Sequence, residues 1–376
     1  MRVAHVMDHF LPANLGLIYD TIIESRMHGV DPTVLSMKRK NENLFPFDNV
    51  FSLHSLNPIS KNWIRFTGSL NKKSFGLAYY ERIIPKARPR LLHSHFIWMG
   101  ETSCKLKQEF DLPLVLTLYG EDDIKVELSQ PAKERFREIF RKCDSIVAVS
   151  KYVEERARAI GIGNSEIRVI YPGVDTARFS PSYTGREQDL FVIGIAARLD
   201  RVKGLDNLLL AFKGFQKRWP RSKLKIAGSG GLQKSLVRMT NDLGIKEKVE
   251  FCGWVPRPEM PSFYRGIDLF VLPSTVLRSG VTEAAGVVLL EAQACGVPIV
   301  ASNTGGISEI VLDKHSAILV PPNDSSLLET AMDTLAQDKQ VRIAMGNCGR
   351  ENVVRNFALK TQTGTLVKLY LGTLKR

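Results

Sequence analysis

No stretch of the chain approaches the ~20 uninterrupted apolar residues of a membrane-spanning helix. The opening Met1-Arg-Val-Ala-His-Val runs straight into a strand pattern without the apolar core of a signal peptide, so a cytoplasmic protein is expected. Cysteine is scarce and unpatterned. Cys104, Cys143, Cys252, Cys295 and Cys348 are odd in number and widely spaced, which excludes CxxC zinc spacing and a disulfide framework and reads them as reduced structural thiols. No period of about 20 to 50 residues recurs and no segment is compositionally biased, so repeat arrays and low-complexity tails are set aside. An RNP-type aromatic sheet, a zinc finger and a KH loop are all missing, and nucleic acid is not an expected partner.

What the sequence does have is positive charge. A formal net charge of +13 over 376 residues calls for an anionic partner, and with nucleic acid set aside the candidates are phosphorylated small molecules and an anionic membrane surface. The length is comfortable for two domains.

Short apolar runs alternate with helical patterns. Leu91-Leu-His-Ser-His, Leu114-Val-Leu-Thr-Leu and Ser145-Ile-Val-Ala-Val lack the polar/apolar alternation of a half-exposed sheet and read as buried parallel strands. The design restarts at Phe191-Val-Ile-Gly-Ile-Ala-Ala and recurs at Lys223-Leu-Lys-Ile-Ala, Asp268-Leu-Phe-Val-Leu and Pro298-Ile-Val-Ala. A turn-rich stretch around Pro181-Ser-Tyr-Thr-Gly-Arg-Glu-Gln marks the boundary. The expected fold is α/β, with two Rossmann-like doubly wound domains facing a cleft and ligands bound outside the carboxyl ends of the strands. The first domain covers residues 1–182 and the second 183–356; the apolar helix pattern of 357–376, with Leu366, Val367, Leu369, Tyr370 and Leu374, is expected to cross back onto the first.

The densest signal is Glu283-Ala-Ala-Gly-Val-Val-Leu-Leu-Glu291, two carboxylates with seven residues between them and Gly286 inside the gap. A helix starting near Gly286 and Val287 would aim its first free N–H groups at a bound diphosphate, with Glu291 further along it and Glu283 just outside. Taken alone, such a spacing is more often a capping carboxylate followed by an ordinary glutamate. Other features accompany it. Gly194-Ile-Ala-Ala-Arg198-Leu-Asp-Arg-Val-Lys203-Gly204 sets Arg198 and Lys203 near a strand end, and fixed cations with helix N–H donors stabilise the charge that develops on a leaving diphosphate. Ala227-Gly228-Ser-Gly230-Gly231 follows a strand, and Gly305-Gly306 sits in a later loop after a strand.

The Glu283 to Glu291 block closely resembles the EX7E motif of retaining glycosyltransferases of the GT-B fold, family 4. The segment from Arg198 to Gly204 resembles the same family's G-R-L-x-x-x-K-G, and further matches in order cover most of the chain from about residue 90 onward. The resemblance implies that Glu283 contacts the transferred sugar, Glu291 the ribose, and Arg198 and Lys203 the diphosphate; Gly286, Val287 and Gly228 fall in the donor site. It implies a nucleotide diphosphate sugar as donor substrate, a carbohydrate or lipid-linked acceptor, and neither metal nor other cofactor.

In the first domain, Leu92-His93-Ser-His95-Phe96 resembles the family's H-x-H-F, with His95 on the acceptor side. Leu116-Thr-Leu-Tyr119-Gly120-Glu121-Asp122-Asp123 resembles its H-G-x-D segment, with Tyr119 standing where histidine is common; a phenol donates one hydrogen bond to a sugar hydroxyl but carries no charge near neutral pH. Glu121-Asp122-Asp123 has the look of a metal-binding carboxylate cluster, and the resemblance turns it toward a capping role. Gly16 lies in the first strand-to-helix loop, which lacks the family's Gly-Gly pair. Lys61-Asn-Trp63-Ile-Arg65-Phe66 through Lys72-Lys73-Ser-Phe75 mixes cations with aromatics, and two readings stay open: a surface resting on anionic lipid, or a solvated helix with its aromatics in the core.

The function expected is therefore retaining transfer of a sugar to an acceptor hydroxyl in polysaccharide, lipopolysaccharide or glycolipid assembly, at the cytoplasmic side and peripheral to the membrane. Rival readings are a nucleotide-sugar epimerase or phosphorylase of the same fold, and a non-catalytic membrane-associated scaffold.

Overall fold

A computed structural model describes residues 1–10, 16–70, 74–120, 129–162, 166–181 and 190–375. Among them, one contact unit runs to Gly173 and resumes at Leu359, and the other is the span Val174–Ala358.

Unit 1 holds seven parallel strands: β1 (Arg2–Phe10), β2 (Asp31–Arg39), β3 (Val50–Ser52), β4 (Leu91–His95), β5 (Leu114–Leu118), β6 (Ser145–Ala148) and β7 (Ile167–Val169), in the order β3-β2-β1-β4-β5-β6-β7. The strands β4, β5 and β6 are buried at every residue, as expected for parallel strands covered on both faces. Unit 2 has six: β8 (Phe191–Ala196), β9 (Ser222–Ala227), β10 (Val249–Gly253), β11 (Leu269–Leu272), β12 (Ile299–Ser302) and β13 (Ala317–Val320), ordered β10-β9-β8-β11-β12-β13. Both sheets are doubly wound, and the strand order reverses beside β1 in the first and beside β8 in the second. In such sheets the reversal opens a crevice at the carboxyl ends of the two flanking strands. That places the candidate ligand sites at β1/β4 and β8/β11.

Apolar faces hold the helices down. The helix Leu205–Arg218 buries Leu205, Leu208, Leu209, Phe212 and Phe215, an apolar stripe at helical spacing, while Arg218 on its outer side pairs with Glu329 at 2.6 Å and Asp333 at 2.5 Å. All five cysteines are free thiols.

The boundary read at 182/183 falls instead at 173/174, because residues just before it are anchored in unit 2. Phe179 is fully buried with its ring centroid 6.0 Å from that of Tyr264, and Arg350 donates to the carbonyls of Phe179 at 2.6 Å and Thr176 at 2.9 Å. Residues 182–189, the turn-rich stretch itself, lie outside the described residues. The second boundary is at 358/359 rather than 356/357, since Phe357 accepts a hydrogen bond from the Val174 N–H at 2.9 Å. The helix Leu359–Thr373 belongs to unit 1, where Leu366, Val367, Leu369 and Tyr370 join a core with Val3, Leu91, Val115 and Val147. Among the described residues no helix is long and apolar enough to cross a membrane.

Candidate active site

The two loops that leave the carboxyl ends of β8 and β11 meet in unit 2. The chain after β8 makes a tight turn over Arg201–Lys203 and passes Gly204, at φ +59°, where a Cβ would stand 2.1 Å from the Pro273 carbonyl oxygen. Only glycine permits that approach, and it sets Lys203 beside the residues that follow β11. Lys203 Nζ lies 2.6 Å from Glu283 Oε2, and Ser274 Oγ donates to the same oxygen at 3.1 Å. The Glu283 main chain is held as well, its carbonyl accepting the Gly306 N–H at 3.0 Å.

Burial by itself would push the Glu283 carboxyl upward. The charge and hydrogen bond of Lys203, the Ser274 hydroxyl and the Gly286 N–H outweigh it and hold the group below its ordinary value, so it is a carboxylate at neutral pH. Gly286 caps the helix Val287–Ala294 and its carbonyl accepts the Leu289 N–H at 2.8 Å, so that the Val287 and Val288 N–H groups come before the first helical bond. The site thus combines a carboxylate, an ammonium, a hydroxyl and a helix N-terminus, a set suited to holding an anion next to a polar, uncharged group.

Glu291 stands on that helix but is almost fully buried. Its Oε2 accepts the Tyr264 hydroxyl at 2.8 Å, and its Oε1 is 3.9 Å from Arg257 Nη1. Burial first, then the neighbouring carboxylate, push the Tyr264 phenol well above its usual value, so it stays a donor. Arg198 is exposed and paired to Asp200 at 3.1 Å, and only Lys203 of the two expected cations is on Glu283. Gly228 lies at the end of β9, its N–H bonded to the Gly253 carbonyl at 2.6 Å and its Cα backed against Ala197.

At the β1/β4 reversal of unit 1, His5 and His93 are register partners, and His95 ends β4. His95 Nε2 is 3.0 Å from His5 Nδ1, and its Nδ1 is 2.7 Å from the Tyr119 hydroxyl. His93 bonds Thr117 through Nε2 at 2.7 Å and Tyr370 through Nδ1 at 2.6 Å. All three imidazoles are buried and neutral: burial lowers His5 to about 3 and holds His93 and His95 well below the usual histidine value, with the neighbouring imidazoles adding to it. Their ligand atoms lie within 4.8 Å of one another, close enough for a metal ion. Both nitrogens of His93 and of His95 are already engaged, however, so the cluster is read as a hydrogen-bonded core that carries the Tyr119 hydroxyl. His5 Nε2 is the nitrogen with no partner among the described residues. Gly16 is buried at the start of the helix Gly16–Met27; residues 11–15 before it, and Glu121, Asp122 and Asp123, lie outside the described residues.

Three contributors escaped the sequence reading. Ser274 stood two residues beyond β11, a position that the doubly wound pattern marks for ligands. His5 was legible only as a polar residue in an apolar strand. Nothing local distinguished Tyr264.

Two family profiles divide the chain: Glycosyltransferase Family 4 matches residues 17–178, and Glycosyl transferases group 1 matches residues 179–352. A GDP-mannose-dependent alpha-(1-6)-phosphatidylinositol monomannoside mannosyltransferase of Mycolicibacterium smegmatis is 33% identical over 250 residues, a match covering 64% of this chain and, at 65%, slightly under two thirds of that relative. A D-inositol 3-phosphate glycosyltransferase of Corynebacterium jeikeium is 30% identical over 74% of this chain and 71% of its own. Among solved structures, HepE of Anabaena in complex with UDP and glucose superposes with a TM-score of 0.81 at 20% identity, covering 98% of this chain and 99% of that one. Sucrose-phosphate synthase from Thermosynechococcus elongatus gives 0.81 at 17% identity over 99% and 98%. At these identities the structural likeness speaks for the fold.

Proposed function

This chain belongs to the group 1 glycosyl transferases of the GT-B fold, and from that premise we propose that it moves a sugar from a nucleotide diphosphate sugar to an acceptor hydroxyl, with retention at the anomeric carbon. The observation that carries the reading is the Lys203–Glu283 pair set against the helix N-terminus at Gly286, at the strand-order reversal of unit 2. The diphosphate rests on the helix N–H groups, Lys203 and Arg198, which stabilise its charge as the sugar to phosphate bond breaks. Glu283 addresses the sugar and Glu291 the ribose. The two glutamates serve different parts of the donor and are not an acid/base pair flanking a bond as in a glycosidase. Positioning and leaving-group stabilisation supply most of the rate, and no metal ion is assigned to the step.

The acceptor is proposed to be a carbohydrate or lipid-linked sugar of polysaccharide or glycolipid assembly, in keeping with relatives named for a phosphatidylinositol mannoside and an inositol phosphate. A peripheral place on the cytoplasmic face of the membrane is part of the proposal. Its support is the helix Pro58–Leu70, where Ile59, Trp63 and Phe66 are 81%, 54% and 57% exposed on one face, and Lys61 and Arg65 fall by helical spacing on the other. Of the two readings of that segment, the one that put Trp63 and Phe66 in the core does not hold.

The test is a thermal-shift and calorimetric screen against GDP, UDP, ADP and their sugar conjugates with and without EDTA, followed by NMR of the anomeric configuration in the product. Metal-independent binding of one nucleotide and a retained configuration are expected; an inverted product overturns the stereochemistry, and no binding to any nucleotide overturns the donor site. Co-sedimentation with vesicles containing phosphatidylglycerol tests the membrane face: binding lost in a Trp63→Ser/Phe66→Ser variant is expected, and its persistence refutes that assignment.

A further inference from the structure

Two consecutive residues just beyond β11 touch both members of the Lys203–Glu283 pair. Ser274 does so through its hydroxyl, on Glu283 Oε2 at 3.1 Å. Thr275 does so through its main chain: its N–H donates to the Val202 carbonyl at 2.7 Å, one residue before Lys203. The Thr275 side chain is tied to a third loop. Its hydroxyl donates to Asn323 Oδ1 at 2.5 Å, and Asn323 follows β13, with β12 lying between β11 and β13 in the sheet. Asn323 is itself anchored. It sits at φ +63°, a left-handed conformation that asparagine tolerates better than most side chains and that glycine takes without strain. Pro321 and Pro322 stiffen the chain that leads to it, and Asp324 after it caps the helix Ser325–Gln337 by accepting the Leu327 N–H at 2.8 Å.

We propose that Asn323 is a positioning residue for the Lys203–Glu283 pair: through the Thr275 hydroxyl it pins the segment that grips the Lys203 loop by its backbone and Glu283 by Ser274. The ion pair fixes the distance between its two members but not their place in the site, because a lysine side chain is a flexible tether. Their place is set from outside, by the segment Ser274-Thr275, and that segment is held in turn by Asn323. Thr275 is buried, so its hydroxyl is stranded when the amide is removed and the segment shifts to satisfy it. The consequence falls on turnover rather than on nucleotide affinity, since a small displacement at a reacting centre weighs heavily on rate while the helix N-terminus and Arg198 stay where they are. The inference rests on the reading of the pair as the sugar and diphosphate contacts made above.

The test measures kcat, as nucleoside diphosphate released from GDP-mannose, UDP-glucose or ADP-glucose, beside calorimetric affinity for GDP, UDP and ADP. The proteins compared are the wild type, Thr275→Val, Asn323→Gly, the double variant and Thr275→Ser. Valine keeps the shape and the backbone N–H of threonine and removes the hydroxyl, whereas glycine accepts φ +63° and removes the amide. Thr275→Val and Asn323→Gly are each expected to lower kcat about tenfold and to leave nucleotide affinity within about threefold of wild type. The double variant should lose no more than the weaker single variant, because both substitutions break one contact. Thr275→Ser, which keeps the hydroxyl, should restore kcat to within about threefold of wild type. Wild-type kcat in Thr275→Val or Asn323→Gly overturns the positioning role, and any fall in melting temperature then reports packing alone. Losses that multiply in the double variant overturn it as well. If the wild type binds none of the three nucleotides and releases none from the sugar conjugates, the reading of the Lys203–Glu283 pair fails and takes this inference with it.

Discussion

Gly305 and Glu283 are in contact through their backbones: a Cβ on Gly305 would stand 1.8 Å from the Glu283 carbonyl oxygen. The glycine also sits at φ +56°, where other residues are strained. A loop from another strand end is thereby pressed against the main chain of the residue assigned to the sugar.

Gly305→Ala is therefore expected to displace Glu283. A cost of about 1–3 kcal/mol in stability should accompany a fall in turnover of about a hundredfold, since small displacements at a reacting centre weigh more on rate than on folding. Steady-state transfer rates beside thermal melts check this; a variant with wild-type turnover would show that the loop does not position Glu283.

Glu283→Gln should leave nucleotide affinity within about threefold of wild type while suppressing turnover, because the diphosphate contacts remain. Calorimetry and rate measurements on the same preparation separate the two. Equal loss of both would move Glu283 into the nucleotide site.

Lys203→Met should lower stability by about 1–3 kcal/mol near neutrality, between the values of exposed and buried pairs. The folded Glu283 carboxyl titrates below its ordinary 4.5, so the unfolded chain takes up that proton first. The contribution of the pair is complete above 4.5 and is lost as the pH falls through the folded value. Denaturant unfolding at pH 7 and at progressively lower pH should show the gap between variant and wild type closing in acid.

The histidine cluster carries the same sign at higher pH. His5, His93 and His95 are neutral in the fold and ordinary, near 6.5, in the unfolded chain. As the pH drops below 6.5 the unfolded state binds protons that the fold refuses, and each histidine removes up to about 1.4 kcal/mol per pH unit. For His5 the loss continues to about 3. His5→Gln should shallow that slope by about one proton, read from unfolding midpoints between pH 7.5 and 5.

Arg198→Ala is expected to leave stability within about 0.5 kcal/mol, because the side chain is exposed and its partner Asp200 is close in sequence. Nucleotide diphosphate affinity should fall about tenfold. An unchanged affinity would confine phosphate binding to Lys203 and the helix N-terminus.

Much of the fold was written in the chain because parallel strands covered on both faces appear as unbroken apolar runs. Leu114–Leu118 and Phe191–Ala196 are of this kind. Val50–Ser52 and Ile167–Val169, three residues each at sheet edges, carry no such run. In the site, Lys203 and Glu283 were legible from short-range spacing, whereas their meeting across 80 positions depends on the adjacency of β8 and β11. Tyr264 and His5 meet Glu291 and His95, partners 27 and 90 positions away, through the packing of separate elements, which is not encoded in any one segment. The boundary was misplaced for a related reason: the turn-rich stretch is a real break in pattern, but Phe179 just before it is buried against Tyr264.

The last helix has a consequence for how the protein is made. Val174–Ala358 is one uninterrupted stretch of chain, whereas the unit that contains the first strand also needs Leu359–Thr373, whose Tyr370 closes on His93. Domains commonly fold in the order in which they leave the ribosome. Here the second unit is fully synthesised while the first still lacks a wall of its core, so the half that is translated first is completed after the other, and its apolar surface around Val3 and Leu91 stays uncovered until the helix Leu359–Thr373 has been made.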